Sequence, residues 1–346
     1  MALEVNIVKK LGDFCLRAAF SCEKEFMGIL GASGSGKSLT LKCIAGIEKP
    51  DRGRIVLDGK VLFDSEKKIN LPPQQRRVGY LFQTCALFPG MTVRQNILCG
   101  LRREKDRETR EKLADEMLGL LRIRDIAGQK PETLSGGQAQ RTALGRILVN
   151  KPDLLMLDEP FSALDAHLRL KLQTELKNLL TGYGGGILMV THDRDEAYRL
   201  CSRLGVMDRG QMLSVKETKA LFADPETRAA AVLTGCKNIA GARKTGEREV
   251  FVPEWNIHLV TEKTVRDGLQ AVGIRAHDFQ PGIPENRFPV RIGQEMEEPF
   301  EWISEFRFAD QDPGSPAVWW RYSRAARPET PPQALGVLPE KVLLLY

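Results

Sequence analysis

The sequence contains no long apolar run, no large excess of charge and no paired cysteines. A membrane-spanning helix needs about 18 or more consecutive apolar residues, and no such run occurs, so we expect a chain that does not cross a membrane. Lys and Arg exceed Asp and Glu by only 51 to 45, which does not favour a nucleic-acid partner. The seven cysteines include no Cys-x-x-Cys pair and their number is odd, so we expect reduced thiols in a cytosolic protein.

Composition changes near residue 235 and predicts two domains. All four tryptophans lie beyond this point. Pro and Gly clusters there separate short strand-like runs, which is typical of a small β-rich domain. The earlier part has the Gly-rich turns, helical patterns and short apolar runs of an α/β domain. We therefore predict an α/β domain over residues 1–235 and a β-rich domain over residues 236–346.

Apolar periodicity and turn residues predict the individual elements. In the first domain we expect strands at 26–30, 154–157 and 187–190, helices at 39–45 and 113–121, and a hairpin of 55–57 with 61–63 around Asp58-Gly59. In the second we expect strands at 250–252, 269–275, 288–292, 317–322 and 342–345, preceded by a helical stretch over 217–233 that Pro225 divides.

Residues 31–38 fit the phosphate-loop pattern G-x-x-x-x-G-K-[ST] at every fixed position. Glycines let the backbone wrap closely around phosphates with successive N–H groups pointing inward, and the following helix directs its positive end at the same anion. Lys37 is predicted to reach the β- and γ-phosphates, and the Ser38 hydroxyl to bind Mg²⁺. The predicted phosphate site is Gly31, Ala32, Ser33, Gly34, Ser35, Gly36, Lys37 and Ser38.

Two acids, Asp158 and Glu159, follow four apolar residues at 154–157. This run predicts a buried parallel strand, whose carboxyl end is where functional groups collect. Asp158 is therefore a candidate Mg²⁺ ligand. Glu159 is a candidate for polarising a water that attacks the γ-phosphate.

Residues Ser135, Gly136, Gly137 and Gln138 predict a second helix start that can meet an anion. Ser135 can cap a helix through 142–148, and the two glycines leave its N-terminus bare. Within one subunit a second phosphate-binding helix start would be redundant. It is useful if it serves a γ-phosphate that another subunit binds, and a plain P-loop kinase needs no such feature.

Leu-Ser-Gly-Gly-Gln at 134–138 resembles the signature motif of the ATP-binding-cassette (ABC) ATPases without a mismatch, and the resemblance covers roughly residues 1–235. It implies an α/β P-loop ABC nucleotide-binding domain that binds ATP and Mg²⁺ and hydrolyses ATP. It also implies a Q-loop glutamine at Gln83 that serves catalysis and the metal, a D-loop at 162–165 with Asp165 at the nucleotide, and a catalytic switch histidine at His192.

One position departs from the family's pattern. The family usually stacks an aromatic residue on adenine just before a glycine, and here Leu11 stands before Gly12. Phe14 is the nearest aromatic side chain. It is either the substitute for adenine stacking or a core residue.

The architecture resembles the ATPase subunit of a bacterial importer. There is one phosphate loop, no fused membrane segment and no long coiled coil between Gln83 and Ser135. The second domain is similar to the TOBE fold, of OB or SH3 type. Residues 53–64, 71–73 and 76–83 resemble molybdate importers most closely, which implies molybdate or tungstate as the solute. Sulfate, iron and sugar importers share parts of these segments, and a soluble regulatory ABC ATPase is the rival interpretation.

The same resemblance implies the partners. Two copies would pack head to tail, with each ATP between Lys37 and Ser38 of one copy and residues 135–138 of the other. Membrane permease subunits would hold the protein at the cytoplasmic face of the cell membrane, with the apolar segment 87–93 either receiving them or belonging to the core. An extracytoplasmic solute-binding protein would act indirectly. The C-terminal domain would sense the oxyanion or serve only dimerisation.

Overall fold

The computed structural model describes residues 2–102, 104–162 and 166–346, with the backbone alone for 166–168. Contacts divide the chain into two compact units, Met1–Thr218 and Lys219–Tyr346. Across the described ranges no helix has the length and hydropathy to cross a bilayer. All seven cysteines are free thiols.

The described strands of the first unit form one eleven-stranded sheet. In chain order the strands are β1 Leu3–Leu11, β2 Phe14–Cys22, β3 Phe26–Leu30, β4 Arg52–Leu57, β5 Lys60–Asp64, β6 Ile69–Asn70, β7 Val78–Leu81, β8 Leu154–Asp158, β9 Gly186–Thr191, β10 Arg203–Asp208 and β11 Gln211–Glu217. Their spatial order is β6-β5-β4-β1-β2-β11-β10-β3-β9-β8-β7. The run β10-β3-β9-β8-β7 is parallel throughout, whereas β1, β2, β4, β5 and β6 pair antiparallel with one another.

Local sequence explains the elements that were predicted in this unit. Every residue of β8 and β9 is buried, as expected of central strands covered on both faces. The β4–β5 hairpin turns at Asp58 and Gly59, whose φ angles of 49° and 76° are both left-handed, as a tight two-residue turn requires. The strands at 26–30, 154–157 and 187–190 and this hairpin are confirmed.

Helices cover the sheet and form a separate helical cluster. The α-helices of the first unit are α1 Lys37–Ala45, α2 Val93–Leu98, α3 Arg107–Leu120, α4 Gly136–Leu148, α5 Ala166–Leu180 and α6 Arg194–Leu200, with 3₁₀ turns at Pro73–Gln75, Cys99–Leu101 and Pro131–Thr133. α1 begins inside the phosphate loop and ends at Gly46, which adopts a left-handed conformation with φ of 79°. The predicted helices at 39–45 and 113–121 are confirmed.

The second unit begins with two short helices and continues as antiparallel strands. These elements are α7 Thr218–Ala223, α8 Arg228–Leu233, β12 Asn238–Gly241, β13 Arg243–Lys244, β14 Glu249–Val252, β15 Ile257–Val260, β16 Ala271–Ile274, β17 Phe288–Glu297, β18 Glu301–Phe308, β19 Val318–Ser323, β20 Ala334–Leu335 and β21 Leu343–Leu345, with 3₁₀ turns at Arg324–Ala326 and Pro339–Lys341. The strands form three small sheets, β12-β16-β21, β13-β14-β15 and β19-β18-β17-β20. They enclose an aromatic core that includes Trp255, Trp320 and Phe306, an arrangement consistent with an OB-type domain.

The units divide at Thr218 and Lys219, earlier than the change of composition at residue 235. Hydrogen bonds explain the difference. The Arg275 guanidinium of the β-rich unit donates to the carbonyl oxygens of Phe222 and Thr234. These bonds attach the helical stretch to the β-rich strands, so α8 and most of α7 belong with the second unit.

Candidate nucleotide-binding site

The sheet topology brings four predicted motifs to one edge. β3, β9, β8 and β7 are adjacent and parallel, so the segments that follow them emerge at the same carboxyl edge. The phosphate loop follows β3, His192 follows β9, Glu159 follows β8 and Gln83 follows β7. This edge is the candidate site.

The phosphate loop has the backbone conformation that its glycines permit. Gly34 and Gly36 have φ angles of 78° and 106°, and a Cβ at Gly31 would lie 2.4 Å from the carbonyl oxygen of Met207. Larger residues at these positions would clash or strain the loop. The buried Ser35 hydroxyl has no hydrogen-bond partner among the described residues, so a polar group of a ligand is free to satisfy it.

Lys37 is 4% exposed and folds back into its own loop. Its Nζ donates to the carbonyl oxygens of Gly31 and Ala32, each at 2.8 Å. Burial lowers the pKa of Lys37, while the carboxylates of Glu159 and Asp158 oppose that shift. An ammonium held at the loop in this way has only to exchange carbonyl oxygens for phosphate oxygens when a nucleotide binds.

Two candidate oxygen ligands for a cation lie together at Ser38 and Asp158. The Ser38 hydroxyl donates to Asp158 Oδ1 at 2.7 Å, and the Tyr80 hydroxyl donates to Asp158 Oδ2 at 2.7 Å. Burial and the bond to Asp158 raise the pKa of Tyr80, so the phenol stays a donor. The described residues hold no cluster of three His, Cys, Asp or Glu side chains suited to a metal. This donor set fits Mg²⁺, which takes one or two protein oxygens and completes its shell with phosphates and water.

Glu159 occupies the centre of the site. Its Oε2 lies 3.2 Å from His192 Nδ1, and its Oε1 lies 3.9 Å from Lys37 Nζ. Its φ of 44° is left-handed, which is uncommon for a residue with a side chain and costs on the order of 1–3 kcal/mol. The N–H and Oγ of Ser162 both donate to the Glu159 carbonyl oxygen and close this turn. The strained turn directs the carboxylate toward the phosphate loop.

Gln83 lies at the site but does not contact the cation ligands. Its exposed amide donates from Nε2 to Ser162 Oγ at 3.1 Å. Gln83 therefore reaches the turn that holds Glu159, and its contact with a metal stays a prediction. The apolar segment 87–93 that follows contains both exposed and core residues, because the Phe88 side chain is 43% exposed whereas Val93 is fully buried. Asp165, the predicted D-loop residue, lies outside the described residues.

The signature motif caps its helix and stands apart from the phosphate loop. The Ser135 hydroxyl accepts from the Gln138 N–H, and Gln138 Oε1 accepts from the Ser135 N–H at 2.9 Å. Gly136 is exposed, while Gly137 packs on Leu172. Within the described parts of the chain, no hydrogen bond, ion pair or ring contact joins residues 135–138 to the phosphate loop.

Phe14 lies beside the phosphate loop with its ring partly buried. A Cβ at Gly36 or at Gly210 would lie 3.1 Å from Phe14 Cζ, so the ring fills the space over both glycines. The same ring borders a recess that Gly34, Arg17 and Arg209 also line. Phe14 thus meets both the core and the edge of the candidate site.

The sequence prediction gave no individual role to two residues of the site, Tyr80 and Ser162. Tyr80 lies on β7 and reaches Asp158 only because β7 and β8 are neighbours, which no local pattern reveals. Ser162 was part of the predicted D-loop segment. Its contacts with Gln83 and with the Glu159 backbone depend on the left-handed turn at Glu159.

These features define a P-loop nucleotide-binding domain. A phosphate loop, a Ser–Asp pair suited to Mg²⁺ and a glutamate facing a histidine lie at one edge of a parallel sheet.

Comparison with known proteins identifies the family. The family model of the ABC transporter matches residues 19–162. The chain is 42% identical over 216 residues to the putrescine transport ATP-binding protein PotG of Escherichia coli, covering 62% of this chain and 56% of that protein. It is 43% identical over 235 residues to the spermidine/putrescine import ATP-binding protein PotA of Pseudomonas fluorescens, covering 67% of this chain and 63% of that protein. It is 42% identical over 297 residues to the trehalose/maltose import ATP-binding protein MalK of Thermococcus litoralis, covering 84% of this chain and 79% of that protein.

A solved structure agrees with these relatives. It is the dimeric bacterial ABC transporter cassette MJ0796, which has also been solved in a post-hydrolysis state bound to ADP and Pi. Each of the two structures superposes on this chain with a TM-score of 0.53 at 30% sequence identity. The superposition covers 63% of this chain and 99% of that one. The chain therefore belongs to the import-type ATPases of ABC transporters. The chain spans only 56% and 63% of the first two relatives.

Proposed function

We propose that this chain hydrolyses MgATP and energises a membrane importer. The observation that carries the proposal is the position of the Glu159 carboxylate, 3.2 Å from His192 Nδ1 and 3.9 Å from Lys37 Nζ, beside the Ser38–Asp158 pair. This arrangement places a candidate base next to a phosphate loop and a cation site. Family membership as an import-type ABC ATPase supports the same conclusion.

The chemistry follows from these residues. Lys37 would leave the carbonyl oxygens of Gly31 and Ala32 and bind phosphate oxygens. Ser38 and Asp158 would hold Mg²⁺, which when bound neutralises charge on the phosphates. Glu159 would orient a water and accept its proton as the water oxygen bonds to the γ-phosphorus.

The bond from the γ-phosphorus to the bridging oxygen breaks as the new bond forms, leaving ADP and phosphate. His192, whose Nδ1 lies 3.2 Å from Glu159 Oε2, would keep that carboxylate in place.

A second copy would complete each site. Residues 135–138 form a helix N-terminus, exposed at Ser135 and Gly136, that makes no contact with the phosphate loop of the same chain within the described residues. Such a terminus favours negative charge, so we assign it to the γ-phosphate bound by a partner copy. The dimeric state of the similar cassette MJ0796 supports the pairing of two copies.

Mixing two inactive variants tests this shared site. A Lys37→Ala chain paired with a Ser135→Arg chain forms one intact site and one doubly damaged site, whereas each variant alone has two damaged sites. We expect phosphate release on mixing to exceed the sum of the separate variants. For symmetric dimers that exchange freely it should approach about a quarter of the wild-type rate.

The matched control mixes Lys37→Ala with the Lys37→Ala/Ser135→Arg double variant, a pair in which no site is intact. This mixture should gain nothing. Full wild-type activity in either single variant alone would overturn the head-to-tail assignment.

The partners are proposed from the same family membership. Permease subunits would bind near the exposed rings of Phe82 and Phe88, which are 37% and 43% exposed. The protein would then lie peripherally at the cytoplasmic face of the cell membrane, and an extracytoplasmic solute-binding protein would deliver the solute. A soluble regulatory ABC ATPase is the alternative, and failure to co-purify with a permease would favour it.

We propose an oxyanion, molybdate or tungstate, as the solute that the C-terminal unit senses. The resemblance of residues 53–64, 71–73 and 76–83 to molybdate importers supports this, and a pair of arginines adds a physical reason. Arg291 on β17 lies directly opposite Arg307 on β18, on the face opposite the buried Val290–Phe308 pair. Arg307 Nε is buried without a partner, and neither guanidinium forms an ion pair within the described residues. Like charges directly opposite destabilise a sheet, and an anion would relieve this.

Calorimetry of the full chain separates the candidate solutes. We expect heat on titration with molybdate or tungstate and its loss in the Arg291→Gln/Arg307→Gln variant. Arg248→Gln, an exposed arginine of the same unit, is the control. The relatives' names point instead to polyamines and to trehalose or maltose. Absence of heat with every oxyanion, sulfate included, would contradict the oxyanion proposal. It would favour import of a polyamine, a sugar or iron, with a C-terminal unit that serves only dimerisation.

A further inference from the structure

Tyr80 is the one side chain on β7 that bonds to the candidate cation site among the described residues. It faces Met156 in the β7–β8 register and reaches two residues further along β8 to Asp158, where its hydroxyl lies 2.7 Å from Oδ2. Its ring is half-buried and packs against Phe82 at 4.5 Å between centroids. The ring is thus fixed by packing, and the hydroxyl has a defined position.

The two oxygens of Asp158 have different partners. Oδ2 accepts from Tyr80, and Oδ1 accepts from Ser38, the other cation ligand. A carboxylate free to rotate would present either oxygen, or both, to a cation. With Oδ2 held by Tyr80, only Oδ1 faces Ser38, and the carboxylate plane is set before a cation arrives.

We propose that Tyr80 is a positioning residue for magnesium, which orients Asp158 so that Oδ1 and the Ser38 hydroxyl form a preset pair of oxygen ligands. The inference rests on the proposed MgATP function. Groups that hold a metal ligand through a hydrogen bond typically change metal affinity or activity about 10–100-fold when removed. Tyr80 is such a group: it acts through its hydrogen bond to Asp158 and not through contact with the nucleotide or the reacting atoms.

The test compares nucleotide affinity with and without the metal. A non-hydrolysable ATP analogue is titrated by calorimetry into full-length protein, first with excess Mg²⁺ and then with EDTA, and the ratio of the two affinities measures the contribution of magnesium. Tyr80→Phe removes only the hydroxyl and keeps the ring. We expect the ratio to fall about tenfold or more, while the affinity in EDTA stays at the wild-type value.

Tyr183→Phe is the matched control, because its half-buried hydroxyl donates to the carbonyl oxygen of Pro152, away from Asp158. This variant should keep the wild-type ratio. The EDTA titration also reports whether each variant is folded, and Tyr80→Met supplies a second side chain without a hydroxyl. If folded Tyr80→Phe or Tyr80→Met keeps the wild-type affinity ratio, the positioning role of Tyr80 is overturned and the proposed MgATP function is not. A wild-type chain that binds the analogue equally well in EDTA overturns the magnesium assignment itself.

Discussion

Glu159→Gln is expected to abolish turnover while ATP binding survives. The amide has nearly the same shape and can still accept a hydrogen bond near His192, so the site should stay assembled. It cannot take a proton from water, and the loss of a positioned base typically costs about 10²–10⁴-fold in rate. Phosphate release at saturating MgATP, measured beside calorimetric ATP affinity, should show the rate fall and the affinity stay.

Glu25→Gln is the control for this substitution. Glu25 has a similar side-chain exposure, 19% against 15% for Glu159, and pairs with Arg203 at 3.0 Å. It precedes β3, at the edge of the sheet opposite the site. Its variant should hydrolyse ATP normally. Near-normal phosphate release by Glu159→Gln would remove Glu159 from the role of base.

Lys37→Ala is expected to lose nucleotide binding itself. The variant removes the one cation that the structure holds inside the phosphate loop among the described residues. Hydrogen bonds to charged groups contribute about 1.5–3 kcal/mol each, and two phosphate contacts therefore correspond to a loss of at least about 100-fold in affinity. Calorimetric titration with ATP measures this loss directly.

Lys42→Ala, in the last turn of the same helix α1, controls for helix stability. It should bind ATP as the wild type does. Unchanged ATP affinity in Lys37→Ala would contradict the assignment of the loop.

Much of the site could be predicted because its motifs are local in sequence. The phosphate loop combines glycines that need left-handed backbone with a lysine and a serine at fixed positions, and the structure places Gly34, Gly36, Lys37 and Ser38 accordingly. The two acids after a fully buried strand are likewise visible as a pattern.

What could not be predicted depends on strand order. Tyr80 meets Asp158 because two strands distant in sequence are neighbours in the sheet. The boundary between the units also depends on contacts between distant parts of the chain, because Arg275 donates hydrogen bonds to the carbonyl oxygens of Phe222 and Thr234. The bond from Gln83 to Ser162 likewise joins two segments distant in sequence, since the turn at Glu159 carries that hydroxyl toward Gln83.

The central claim is that each ATP is held between the phosphate loop of one copy and residues 135–138 of another. The most direct measurement is the ATP retained per chain after rapid gel filtration, in Glu159→Gln and in Glu159→Gln/Ser135→Arg. Because the first variant cannot hydrolyse the shared nucleotide, it should retain ATP, and the second should release it. Equal retention by both variants would show that residues 135–138 do not touch the nucleotide, and would contradict the account.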